Sequence, residues 1–150
     1  MHLVRLLYSS RLQPGLGSDD IEHILRVAAS NNAKECVTGA LLFDSGKVMQ
    51  CLEGARDTVN QLYALILRDP RHSDITILQY SEIQRREFAE WSMGFVELNP
   101  LTRPSILLHS PRAEFCPEGL SGESAHRMLL ELREYIAPLS VSDLPEPEKV

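Results

Sequence analysis

The chain has 150 residues, with 15 Lys and Arg against 21 Asp and Glu and a formal charge of -6. That length suits one domain with a structured tail, and it suffices to bury about two-thirds of the unfolded surface without staples. The acidic balance excludes a broad nucleic-acid surface, and three cysteines with no CxxC spacing read as reduced thiols, neither a disulfide frame nor a metal site.

Residues 3–8 (LVRLLY) form an apolar, β-prone run long enough for a strand. Ser9 and Ser10, then Pro14, Gly15 and Gly17, mark a loop. Ser18 followed by Asp19 and Asp20 predicts a helix start with a capping hydroxyl and carboxylates at the positive end of the dipole. Ile21, Ile24, Leu25 and Ala28 give that helix one apolar face, and Ser30, Asn31 and Asn32 stand at its end. Residues 37–43 and 47–53 are strands around the turn Asp44-Ser45-Gly46.

Val59, Leu62, Tyr63, Ile66 and Leu67 mark a second amphipathic helix, which Pro70 stops near Asp69. Strands near 75–83 and 92–98 follow, joined by a charged segment. The order predicts an α+β, ferredoxin-like βαββαββ sheet with both helices on one face. Beyond residue 98 the texture changes. Prolines punctuate 100–117, and Ser121 to Ile136 reads as a helix with Met128, Leu129, Leu132 and Ile136 on one side. Residues 1–98 therefore form the expected domain, and 99–150 form a loop and helical cap that must dock on the domain or on a partner. No apolar run reaches the roughly 18 residues of a membrane span, and the N-terminus lacks signal-peptide features, so a cytoplasmic protein is expected.

Polar side chains fall where the pattern calls for core. Period 2 places Tyr8 with Val4 and Leu6, and Gln50 with Val48 and Leu52. If both faces meet the helix layer, the Tyr8 hydroxyl and the Gln50 amide are buried and need partners, since an unpaired buried polar group costs about 1–3 kcal/mol. Ile24 and Ile66 converge on that face, and Asn31 and Asn32 supply amides at one end. Two flat aliphatic surfaces with convergent donors and acceptors suit a planar heteroaromatic ligand. Each residue alone reads better as a satisfied core group or a helix cap; it is their joint placement around one helix-covered face that makes the ligand reading competitive.

The stretches LVRLLYS (3–9), ILRVAASNN (24–32), VTGALLF (37–43), QCLEG (50–54), DPRH (69–72) and FAEWSMGF (88–95), in that order and spacing, resemble the BLUF domains, flavin-binding sensors of blue light. The tail resembles the helical cap of short, stand-alone BLUF proteins more loosely. The resemblance implies FAD as cofactor, with its ring between Ile24 and Ile66, an amide contact at Asn32 with Asn31 beside it, and Asp69, Arg71 and His72 near the ribityl and phosphate side. It also implies that Tyr8 and Gln50 perform the photochemistry. Light excites the flavin, an electron leaves Tyr8, a proton follows through Gln50, and the rearranged amide gives a small red shift.

Trp91 and Met93, expected on one face of the last strand with Phe95, would carry the signal. Ala28, Phe43 and Val48 depart from common family residues and would tune the pocket, and Leu65 stands where a basic residue is frequent. No enzymatic motif appears, so a sensor without catalysis is expected. It would act as a homo-oligomer or on a partner protein such as a response-regulator-like protein, a cyclic-dinucleotide enzyme or a transcription factor, with no direct nucleic-acid or membrane contact. The alternative is a ferredoxin-like flavin or small-ligand binding protein without a light switch.

Overall fold

In a computed structural model, which describes residues 2–138, the first strand runs from Leu3 to Leu12 (β1). A helix at Ser18–Lys34 (α1) follows, then the hairpin Thr38–Asp44 (β2) and Lys47–Ala55 (β3). A second helix, Arg56–Arg68 (α2), leads to His72–Ile83 (β4) and Gly94–Glu97 (β5). The tail carries a short helix at Pro104–Leu107 (α3), a helix at Gly122–Glu131 (α4) and a two-residue strand, Ala137–Pro138 (β6). Among the described residues no helix is long and apolar enough to cross a membrane.

The sheet order is β4-β1-β3-β2-β5-β6. The first four strands pair antiparallel, as the ferredoxin-like reading requires, while β5 adds parallel to β2. Ser45 (φ 51°) and Gly46 (φ 78°) occupy the left-handed region, which lets two residues close the β2–β3 hairpin with the twist of its strands.

The sheet is covered on both faces. On one, Val4, Leu6, Leu41 and Leu52 pack against Ile21, Leu25 and Ala29 of α1 and Val59 of α2. On the other, Leu7, Leu42, Met49 and Cys51 pack against Ile106, Phe115, Met128, Leu129 and Leu132 of the tail. The apolar stripe of the tail is therefore spent on the domain itself. The expected extension also includes residues 139–150, which lie outside the described residues.

Several expected boundaries move. β1 runs on through Ser9 and Ser10 because β3 and β4 both pair with that stretch, Ser10 opposite Val48 and Leu12 opposite His72. Strand pairing overrides the loop-like composition. Ser18 is the first residue of α1 and not its cap; the Asp20 carboxylate instead accepts from the Gly17 N–H at 3.0 Å. In the tail, Ser121 does cap its helix, accepting from Ser124 N–H at 3.0 Å. That helix ends ten residues on, then turns through Arg133–Tyr135, so that Ile136 reaches Gly94.

The expected strand 92–98 begins only at Gly94, and Trp91 and Met93 do not share a face. Met93 is buried in the helix-side core, whereas Trp91 packs toward the tail. Gly94 lies so close to Ile136 and the Trp91 ring that a Cβ there would clash.

Candidate functional site

Between the sheet and the two helices lies a cleft that opens to solvent, about 670 Å³ with its mouth included. Ile21, Ile24, Leu25 and Ala28 of α1 form one wall, and Leu62 and Ile66 of α2 form the other. Leu41, Val48 and Leu52 floor it, while Tyr8, Gln50 and Asn32 place polar groups inside. Ser10, Arg71 and His72 also line it.

Tyr8 and Gln50 stand opposite each other in the β1–β3 register, which puts both side chains on the helix face. The buried Tyr8 hydroxyl donates to Gln50 Oε1, and Gln50 Nε2 donates to Met93 Sδ at 3.4 Å. The chain Tyr8–Gln50–Met93 therefore has a defined polarity, and its last acceptor is a weak one. Burial, then the Asp69 carboxylate and the Tyr63 hydroxyl, push the Tyr8 phenol well above its ordinary range, so it stays protonated. Its ring meets Tyr63 at 6.1 Å and His72 at 6.4 Å between centroids.

Asn32 is buried and donates from Nδ2 to the Ser92 carbonyl at 3.3 Å. His72 bridges two elements: Nε2 lies 2.7 Å from the Ile66 carbonyl and Nδ1 lies 2.9 Å from Ser10 Oγ. A carbonyl only accepts, so Nε2 carries the hydrogen and the Ser10 hydroxyl can donate to Nδ1. Asp69 takes a two-point contact from Arg71, with Nη2 to Oδ2 at 2.6 Å, and that contact holds its carboxyl below the usual range.

Of the residues singled out in the sequence, the cleft gathers Tyr8, Ile24, Asn32, Gln50, Ile66, Arg71 and His72. Asn31 is exposed, Asp69 faces Arg71, and Trp91 lies toward the tail; none of these three lines the cleft. Met93 touches it only through Gln50. Sequence reasoning missed Ser10 and Leu12, which continue the period-2 face of Tyr8 once the strand is known to run on. Leu65 is 62% exposed on the outside of α2.

The donor set fits a flavin. Aliphatic walls on two helices suit a flat ring, a buried amide pair suits its polar edge, and Arg71 and His72 suit a charged tail. Fold and cleft together define an α+β ligand-binding domain with a tyrosine–glutamine pair built into its pocket.

The family described as "Sensors of blue-light using FAD" matches residues 3–94. The chain belongs to this BLUF family, whose members sense blue light with a flavin. The photoactivated adenylate cyclase subunit beta of Euglena gracilis is 37% identical over 92 residues, covering 61% of this chain and 11% of that protein. The blue light- and temperature-regulated antirepressor BluF of Escherichia coli is 31% identical over 105 residues, covering 70% of this chain and 26% of that protein. The chain thus spans only a small part of these relatives. Among solved structures, the photo-activated state of BlsA superposes with a TM-score of 0.79 at 30% identity, covering 87% of this chain and 94% of that one.

Proposed function

We propose that this protein is a blue-light photoreceptor that binds FAD in the cleft, switches through Tyr8 and Gln50, and signals to a partner protein without catalysis of its own. The observation that carries the reading is the buried chain from the Tyr8 hydroxyl to Gln50 Oε1 and from Gln50 Nε2 to Met93 Sδ. Ile24 and Ile66 would hold the ring from the two helices, Asn31 and Asn32 would serve its polar edge, and Asp69, Arg71 and His72 would serve the phosphate side. FAD rather than FMN is favoured by the family description.

The flavin, when bound, supplies the absorption of blue light and an electron-accepting ring. Tyr8 supplies an oxidisable phenol whose proton is already directed at Gln50 Oε1. Gln50 presents an acceptor to Tyr8 and a donor to Met93, so rotation or tautomerisation of the amide exchanges its bonding ends. The weak thioether acceptor makes the dark orientation easy to leave. The rearrangement would pass through Met93 and Trp91 to the cap, with 1–98 as the sensor and 99–150 as the surface that a partner reads.

The names of the relatives point to an adenylate cyclase or an antirepressor as the kind of output. Chromatography of the flavin released on denaturation distinguishes FAD from FMN. Loss of the light-induced red shift in Tyr8→Phe, with flavin retained, tests the switch; a normal photocycle in that variant would remove Tyr8 from it.

A further inference from the structure

Glu53 stands three residues along β3 from Gln50 and so on the opposite face of the sheet, where it is fully buried. Two separate parts of the chain satisfy its carboxylate. Arg5 on β1 donates from Nε and Nη2 at 3.1 and 3.0 Å. The backbone N–H groups of Glu87 and Phe88, in the connector between β4 and β5, donate at 3.0 and 2.8 Å. Arg86 adds bonds to Thr38 Oγ1 at 3.0 Å and to the Glu53 carbonyl at 3.3 Å. The start of the connector is thereby fastened to the middle of the sheet.

Its far end is held from the cleft side. Asn32 donates to the Ser92 carbonyl at 3.3 Å, and Gln50 donates to Met93 Sδ at 3.4 Å. Between the two ends sits Trp91, with its carbonyl accepting from Gly39 N–H at 3.1 Å and its ring 6.4 Å from that of the buried Phe88. The near attachment is charge-assisted; at the far end the backbone bond of Gly39 to Trp91 and the pairing of Gly94 with Ala40 are joined by two longer side-chain bonds from the cleft, one of them to sulfur. Of these far contacts, the bonds from Asn32 and Gln50 are the ones a rearrangement in the cleft can release, and Ser92 and Met93 then shift against the end fixed at Glu53.

We infer that Glu53 is a positioning residue for signal output: it is the fixed point about which residues 86–93 move when Gln50 releases Met93. Without it the rearrangement at Gln50 is absorbed within the connector and does not reach Trp91 and the cap. This rests on the photoreceptor reading above. A purely structural Glu53 would instead leave signalling intact in any variant that folds.

Trp91, the only tryptophan in the chain, is the reporter. Its quenching by acrylamide is measured in the FAD-loaded full chain, in darkness and under blue light, beside the flavin absorption. Arg5→Met removes the buried cation but keeps the carboxylate on Glu87 and Phe88, and should retain both the red shift and the light–dark difference in quenching. Arg5→Met with Glu53→Met removes the acceptor without stranding a buried charge; it should keep the red shift and lose the quenching difference. Arg5→Met with Glu53→Gln restores an oxygen acceptor for Phe88 N–H and should recover the difference.

Equal quenching differences in all three variants, or none in the unsubstituted protein despite a red shift, would overturn the inference. Loss of the red shift itself in Arg5→Met with Glu53→Met, but not in Arg5→Met alone, would also overturn it, by assigning Glu53 to the photochemistry. A flavin-bound unsubstituted protein with no red shift would instead defeat the photoreceptor reading beneath it.

Discussion

Leu129→Ala tests whether the tail is part of the fold. Leu129 is 0% exposed, on α4, in the core shared with Leu7, Met49 and Cys51 of the sheet. Truncating a fully buried leucine removes the transfer energy of its methyl groups and leaves a cavity, together about 2–5 kcal/mol. At a mid-range loss of about 3 kcal/mol, and roughly 2–4 °C per kcal/mol for a chain of this size, the melting temperature should fall by roughly 6–12 °C. Leu108, also in the tail but 64% exposed, supplies the control; its alanine variant should lie within about 0.5 kcal/mol of the parent. Thermal unfolding followed by circular dichroism reads both. Leu129 lies across the sheet from the cleft, so the flavin spectrum of the folded variant should be unchanged. Equal melting of the two variants would refute the docking of the tail on the sheet.

Gln50→Leu should retain flavin and lose the red shift, because leucine has neither a donor nor an acceptor to exchange; absorption before and after illumination checks it. Ala28→Leu fills space in the cleft wall. Overpacking costs about 1–3 kcal/mol, so flavin affinity in a titration should fall about five- to a hundred-and-fiftyfold. His126 on α4 is held neutral: burial, then nearby Arg5, lower its pKa from the usual 6.5. The unfolded chain binds that proton more readily, so the stability it contributes is present above pH 6.5 and is lost as pH falls through the lowered folded value. Melting temperature should decline in that acidic window, and less so in His126→Gln.

Much of this was legible in the sequence because it depends on local pattern. The hairpin at Asp44-Ser45-Gly46, the apolar face of α1 and the faces of Tyr8 and Gln50 on their own strands follow from short-range spacing and strand alternation, whereas the pairing of those two residues across 42 residues of chain is implied only by the family resemblance. The rest depends on contacts between distant segments. Ser9 and Ser10 look like loop until β3 and β4 are seen pairing with them. Trp91 and Met93 share the parity of a strand, yet the bonds of Gly39, Asn32 and Gln50 to residues 91–93 keep that stretch irregular and send the two side chains to opposite faces. Glu53 sits in the QCLEG stretch as an unremarked acid. Its role as the anchor for Glu87 and Phe88 exists only across 34 or 35 residues of chain.

The most direct test is the absorption spectrum of the purified protein loaded with FAD, recorded in darkness, after blue light and again after dark recovery. A flavin band that shifts to the red on illumination and relaxes fully in darkness is the expected result. A bound flavin whose spectrum does not shift, or a protein that takes up no flavin, would contradict the assignment of Tyr8 and Gln50 as a light-driven switch.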